Sequence, residues 1–393
     1  MTSNLIVVDP SRGQGAICLA VSSNLKKLGV KNRCRLYEIP NNIDYMMAIP
    51  RMKKYIEYSS WIYSIYLKYI AKEDIYVYSI DECFLDVTSY LDLYGMTVQK
   101  LANMIIEDIY QTTKISATAG IGTNMFLAKV ALDILAKHSS NNIGYLDEEI
   151  FKQKIWHHQP ITDIWNIGPG IAKRLKEKFN IMDLYGICHC EEDKLYKEFG
   201  VNAEFLIDHA KGFESCTIED IHQYKAKSNS LSNSQVLFED YCFEDALLVL
   251  KEMVDLQVRE MVGLHLVCDT ISLSVHYSKE IRKASRGVRK LNEVTNSYRL
   301  LKEYFINLFN EIVDKSQLIR KISIGFKNVV DEEYKSYHLF FNEKEEKKER
   351  DLQLTLLKIQ DKYGKNSILK GMNVQKKSTT KKRNKLIGGH NAE

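Results

Sequence analysis

The sequence predicts an α+β fold divided among several domains, and three observations predict it. Between residues 51 and 147 the order is helix, strand, strand, helix, strand, helix, the pattern of a sheet with helices packed on one face. A polar stretch, "KAKSNSLSNSQ" (225 to 235), then reads as a linker to a second set of alternating strands and long helices. The length of 393 residues, 45% of them hydrophobic, exceeds one ordinary core. Roughly two to four domains are expected.

Along the chain, "NLIVVD" and "GAICLAV" are strand-like and "PSRGQG" between them is a turn. No Gly-Lys-Ser/Thr follows its glycines, so a hairpin connection is expected rather than a phosphate loop. "SSNLKKLG" reads as a capped helix stopped by Gly29. The long helix "RMKKYIEYSSWIYSIYLKYI" precedes strands "DIYVYSI" and "CFLDVTS", helix "TVQKLANMIIEDIYQTT", strand "ISATAGIG" and helix "NMFLAKVALDILAKH". Residues 148–222 form short helices, including "ITDIWNIGPGIAKRLKEKFNI". Further on, "DTISLSVHY" and "RKISIGFKNV" alternate apolar with polar or basic residues, as half-buried strands do. Helical patterns near 243–262 and 296–314 can cover their apolar face. From 343 the chain is charged, and "KKSTTKKRNK" has six basic residues among ten.

Composition narrows the function classes. A net charge of +4 is a weak pointer to an anionic partner. The start "MTSNLIVV" lacks a signal peptide's basic and apolar regions, and no apolar run reaches the ~20 residues of a membrane span. Eight scattered cysteines suit a reducing cytoplasm. The pair Cys188 and Cys190 has no second close pair to complete a zinc site, so helix-end packing is expected there.

The chemistry centres on "VYSIDECFLDVTSY" (77 to 90), where Asp81 and Glu82 adjoin in a β-prone run. Adjacent strand residues point to opposite faces, so both acids can serve one site only at a turn. Two crowded carboxylates resist ionising unless a cation lies between them, and hard oxygens with open coordination suit Mg²⁺ completed by substrate phosphates. Taken alone, the dipeptide reads more readily as a solvated hairpin tip, and Lys129 in "GIGTNMFLAKVALD" as an exposed helix position. "IGPG" (167 to 170) suits either a plain αα-turn or close backbone approach to a nucleic-acid phosphate.

Together, "YSIDECFLDVT", "GIGTNMFLAKVALD", "ITDIWNIGPGIAKRL" and "KSNSLSNSQVL" resemble, in order, the motifs of Y-family translesion DNA polymerases. The chain is most similar to the UmuC-like branch with its Gram-positive UV-damage repair members, and "ILAKHSSNNIGYL", with His138, supports that branch. The resemblance covers nearly the whole chain. It implies a right-hand polymerase: fingers 1–48, a ferredoxin-like palm 49–147, a helical thumb with helix-hairpin-helix 148–222, a linker 223–233, an α+β little finger 234–342 and a charged tail 343–393. Asp81 and Glu82 become metal-holding catalytic carboxylates for two Mg²⁺ ions. Ser23, Lys26 and Lys129 become nucleotide-binding positions, although many members have an aromatic residue where Ser23 stands. Gly168, Gly170, Lys173, Lys321 and Lys327 become DNA contacts.

The resemblance further implies primed or damaged DNA and deoxynucleoside triphosphates as substrates. It implies the sliding clamp and the recombinase that controls SOS mutagenesis as partners. Leu339 and Phe340 in "YHLFF" suit either a hydrophobic pocket on the clamp or packing onto the little finger, and the usual clamp peptide's Gln is absent. The family's site also uses a third carboxylate on an N-terminal strand with the pattern Asp-x-x-x-Phe/Tyr-Phe/Tyr. No such motif occurs in this sequence. A truncated form, lacking a central palm strand and binding primed DNA without copying it, is therefore expected. The competing reading is a non-catalytic DNA- or clamp-binding protein. A cyclase or nuclease on a similar palm would need neither "IGPG" nor the basic tail.

Overall fold

The computed structural model describes residues 3–226, 229–278, 283–334 and 343–393. It divides into two compact units, residues 1–53 with 226–393, and residues 54–225.

The first unit opens with β1 (Leu5–Val7), antiparallel to β2 (Ala20–Val21) and parallel to β3 (Met46–Ala48). The β1–β2 connection carries one 3-10 turn, capped by the Asp9 carboxylate accepting from the Ser11 amide. "GAICLAV" yields less strand than expected. Its ladder switches partner, since Cys18 N–H bonds to Cys34 while Leu19 N–H bonds to Val7. Helix α1 (Ser23–Lys27) is followed by Gly29 at φ +87°, a left-handed position that ends helices.

In the second unit, α2 (Met52–Tyr66) leads to the hairpin of β4 (Ile75–Val77) and β5 (Cys83–Leu85). The expected strand "CFLDVTS" stops at Leu85 because the Asp86 carboxylate accepts from the Thr88 amide and starts α3 (Thr88–Tyr94). Helix α4 (Val98–Thr113) is capped by Thr97 and buries Leu101, Ile105, Ile109 and Thr113, one face at four-residue spacing. Strand β6 (Ala119–Gly122) pairs in parallel with β7 (Ile143–Leu146). Between them α5 (Met125–Val130) runs into a π-helical turn at 131–135, a distortion often found at functional sites.

Then come α6 (Glu148–Ile155), α7 (Pro169–Phe179), α8 (Leu184–Cys188), α9 (Glu192–Phe199), α10 (Asn202–Lys211) and α11 (Ile218–Gln223). Phe126 and Phe151 share one core with Leu175, Leu195 and Leu206, and Cys188 and Cys190 pack at its edge.

The first unit resumes with β8 (Asn229–Tyr241), α12 (Phe243–Gly263), β9 (Leu266–Tyr277), β10 (Ser285–Thr295), α13 (Tyr298–Ile312) and β11 (Ile319–Asp331). The antiparallel sheet runs β10-β9-β11-β8, with α12 and α13 packed on one face around Phe305, Phe309 and Phe326. This corrects the linker. Residues 229–233 are strand, because their Ser and Asn side chains face outward on an edge while their backbone pairs with β11.

The charged tail is corrected as well. It folds into α14 (Glu343–Tyr363), α15 (Thr380–Arg383) and the pair β12 (Leu386–Ile387) and β13 (His390–Asn391). The physical reason is charge pairing. Lys370 bridges to Asp255 and Lys377 to Glu239, while Glu252, 2% exposed, accepts from the Thr379 amide and from the side chains of Asn373, Ser378 and Thr379. Replacing Glu252 by Ala strands these donors. Urea unfolding is expected to show a loss of about 3 kcal/mol, and a loss below ~1 kcal/mol would remove the network as an anchor.

Candidate active site and nucleic-acid interface

The acidic pair sits at a hairpin turn, as the alternation argument required. β4 and β5 pair from Ile75–Leu85 to Val77–Cys83, and Tyr78 N–H and Ser79 N–H both donate to the Glu82 carbonyl at 3.0 Å. Asp81 is exposed, and its Oδ1 accepts from Ser79 Oγ at 2.7 Å.

Lys129 is not the exposed helix residue that α5 alone allows. It is 7% exposed, donates from Nζ to Glu82 Oε2 at 2.7 Å, and lies 3.1 Å from Asp133 Oδ2. Its Nζ also stands over the Tyr78 ring, 5.7 Å from the centroid. Burial by itself lowers the Lys129 pKa; hydrogen bonds and charge from Glu82 and Asp133 outweigh this and hold it above the ordinary value. The ammonium stays charged. The Asn124 side chain starts α5 by accepting from the Leu127 amide, and this aims Lys129 at the turn.

A groove of about 200 Å³ opens beside Glu82 and Lys129. Leu85, Leu101, Ile105, Ile121 and Leu132 make it largely apolar. Among the described residues β5 pairs only with β4 and β6 only with β7, and residues of both strands line the groove. Each therefore presents unpaired backbone groups, a template for a further strand.

Among the described residues no group of three or more His, Cys, Asp or Glu converges. Asp81 and Glu82 nonetheless supply hard oxygens, and the Lys129 ammonium already marks a cation position on Glu82. They fit a hard divalent ion whose shell is finished by water and substrate phosphate.

In the same unit, "WNIGPG" forms the entry to α7. Asn166 takes φ +67°, Gly168 is the N-cap with no side-chain partner, and Pro169 occupies the first turn. Neither Gly168 nor Gly170 has a positive φ, and a Cβ on either would meet nothing within 4 Å. The chain's own fold does not demand glycine there, and the open space would admit another molecule's backbone. The Ile171 and Ala172 amides bond to the Gly168 carbonyl, which leaves the amides of the two glycines to suit a phosphate, and Lys173 stands exposed one turn on, 3.8 Å from Glu177.

In the first unit, the open face of the sheet carries Ser230, Ser232 and Ser234 on β8, Lys321, Ser323, Gly325 and Lys327 on β11, and Ser272, Ser274 and His276 on β9. Burial lowers the His276 pKa, and the flanking cations Lys321 and Arg286 lower it further. The folded state thus binds fewer protons than the unfolded chain. Stability from this group is present above the ordinary imidazole pKa and is lost as pH falls toward the depressed one. A bound polyanion reverses the bias. NMR titration is expected to show the His276 pKa rising on DNA binding, with proton uptake that His276→Gln abolishes; an unchanged pKa would take DNA off this face.

Ser23 and Lys26 lie exposed on α1, in the first unit, so only Lys129 among the expected nucleotide contacts shares a unit with Asp81 and Glu82. Leu339 and Phe340 lie outside the described residues. Sequence reasoning missed Asp133, whose signal was its four-residue spacing from Lys129, and the aromatic residues around Tyr78, which gave no signal.

The model of the impB/mucB/samB family matches residues 1–133, and that of the family's C-terminal domain matches residues 228–339. UvrX of Bacillus subtilis, named as a UV-damage repair protein, is 29% identical over 394 residues, 99% of this chain and 92% of that protein. The DNA repair protein homolog YobH of Bacillus subtilis is 30% identical over 182 residues, 46% of this chain and 82% of that protein. DNA polymerase IV 2 of Halalkalibacterium halodurans is 26% identical over 391 residues, covering 98% and 92%. Among solved structures, a Y-family DNA polymerase chimera of Dbh and Dpo4 superposes with a TM-score of 0.63 at 22% identity, over 84% of this chain and 93% of that one. At that identity the likeness speaks for the fold.

Proposed function

This chain belongs to the impB/mucB/samB family of Y-family DNA polymerases, and on that premise we propose how its residues divide the work of copying damaged DNA. It is a DNA-directed DNA polymerase of the translesion, DNA-repair type, with DNA and deoxynucleotides as partners and a dependence on divalent metal. The observation that carries the residue assignments is the Asp81–Glu82 turn held against the buried Lys129 beside an open groove.

Asp81 and Glu82 would hold Mg²⁺. When bound, the two ions of the family's site activate the primer 3′-hydroxyl and neutralise the triphosphate. Lys129 offers the triphosphate a charged ammonium that water barely reaches. In the fingers, residues 1–48, Ser23 and Lys26 are the proposed nucleotide contacts. In the thumb, residues 148–222, the backbone at Gly168 and Gly170 grips a DNA phosphate, with Lys173 adding charge. In the little finger, residues 234–342, Lys321 and Lys327 face a duplex groove. The slot between β5 and β6 fits a further strand bearing the third carboxylate of the family's site. The sliding clamp, through Leu339 and Phe340, and the recombinase that controls SOS mutagenesis are the protein partners of this reading, in a cytoplasmic setting.

The test is single-nucleotide incorporation opposite damaged and undamaged template bases. Residues 1–393 are compared with the same chain extended in frame upstream of Met1. Divalent-ion-dependent incorporation by either form, lost in Asp81→Ala, supports the reading. Incorporation that persists without Asp81, or failure of both forms to bind primed DNA, overturns it.

A further inference from the structure

One aromatic residue connects the α7 entry to the acidic turn. Trp165 precedes Gly168 by three residues, and its Nε1–H donates to Tyr78 Oη at 3.0 Å. The two rings meet edge to face with centroids 5.8 Å apart, and Trp165 also tilts against Phe84 at 6.0 Å. Tyr78 is one of the two residues whose amides close the turn on Glu82, and its ring lies under Lys129. On its other side Trp165 stacks on His209 at 6.1 Å, and His209 stacks on Phe126 of α5 at 4.1 Å. His209 is held in turn by Glu214 at 3.0 Å.

This arrangement has two features that plain packing lacks. Tyr78 is 40% exposed, so it is not buried for stability's sake, yet it makes directed contacts to Trp165, Phe84 and Lys129. The contacts also close a circuit. Trp165 reaches Glu82 through Tyr78, and through His209 and Phe126 it reaches the helix carrying Lys129. A shift of the 165–170 segment therefore changes the seat of both Glu82 and its cation.

We propose that Trp165 is a positioning residue that couples DNA backbone bound at Gly168–Gly170 to the placement of the Asp81–Glu82 turn, through its hydrogen bond to Tyr78. The chemistry is assembled only when duplex occupies the hairpin. The inference rests on the polymerase reading, since it takes the hairpin to hold DNA and the turn to hold metal.

Trp165→Phe keeps a ring in the cluster and removes the donor, and Tyr78→Phe keeps the ring and removes the acceptor. Each is expected to speed amide exchange at Tyr78 and Ser79 about five-fold, the size one neutral hydrogen bond carries. The double variant should be no worse than either single one, because all three lack the same bond. Amides inside α4 should not change, which separates local positioning from general destabilisation. With primed DNA bound, these turn amides should become protected in the parent chain and remain fast in Trp165→Phe, at equal DNA affinity. In the form that incorporates nucleotides, kcat falls while KM for DNA holds. Additive single effects, or full DNA-induced protection in Trp165→Phe, would overturn the coupling. Absence of DNA binding by the parent would instead sink the polymerase reading on which the coupling rests. The exchange readout needs no catalysis, so the two failures are distinguishable.

Discussion

Alanine at Asp81 or Glu82 is expected to cut nucleotide incorporation at least a thousand-fold, about 4 kcal/mol of transition-state stabilisation, while leaving DNA affinity nearly unchanged. The carboxylates are the hard donors of the turn, and the cations proposed to meet DNA phosphates stand elsewhere, on α7 and β11. Asp81 gives the cleaner experiment. It is exposed and its recorded side-chain partner is Ser79, so its removal should change stability by no more than ~0.5 kcal/mol. Glu82→Ala is less clean, because it leaves the buried Lys129 with Asp133 as its remaining carboxylate partner. Glu82→Gln keeps the side chain's shape and separates lost charge from lost packing. Single-turnover incorporation and equilibrium DNA binding are measured on the incorporating form. A rate within ten-fold of the parent in Asp81→Ala would show that this carboxylate holds no metal.

The acidic turn was legible because two adjacent acids in a β-prone run cannot share a face unless the strand ends there. The alternation of β9 and β11 was legible for a similarly local reason, a period of two. Lys129 was only half legible. Its position one turn into α5 is local, but its burial depends on a turn 47 residues earlier in the chain. Trp165 and Tyr78, 87 residues apart, carried no pattern at all, since an aromatic residue at a loop edge looks the same whether it packs or protrudes. The C-terminal region shows the same limit from the other side. A run of cations reads as solvated until Glu252, 127 residues from Thr379, is seen to accept from that residue's amide. Residues 229–233 misled through composition. Ser and Asn favour linkers, yet an edge strand with one wet face tolerates them when its neighbour's backbone is in register.

Raising salt from 50 to 200 mM is expected to lower affinity for primed DNA by about a thousand-fold, as for a protein neutralising roughly six phosphates. Which lysines set that slope follows from their pairing. Lys377 and Lys370 are engaged by Glu239 and Asp255, so Lys377→Ala should leave the slope unchanged although it removes the same formal charge. Lys321 and Lys327 instead lie on the open serine-rich face of the sheet; Lys321 stands opposite His276, whose pKa is lowered first by burial and then by the Lys321 and Arg286 charges. Replacing both by Ala should reduce the slope of log affinity against log salt by about two, since each released phosphate contact contributes ~0.9. Fluorescence anisotropy on a labelled primed duplex across the salt series measures it. An unchanged slope in Lys321→Ala/Lys327→Ala, or a reduced one in Lys377→Ala, would move the DNA off this sheet face and onto the folded C-terminal segment.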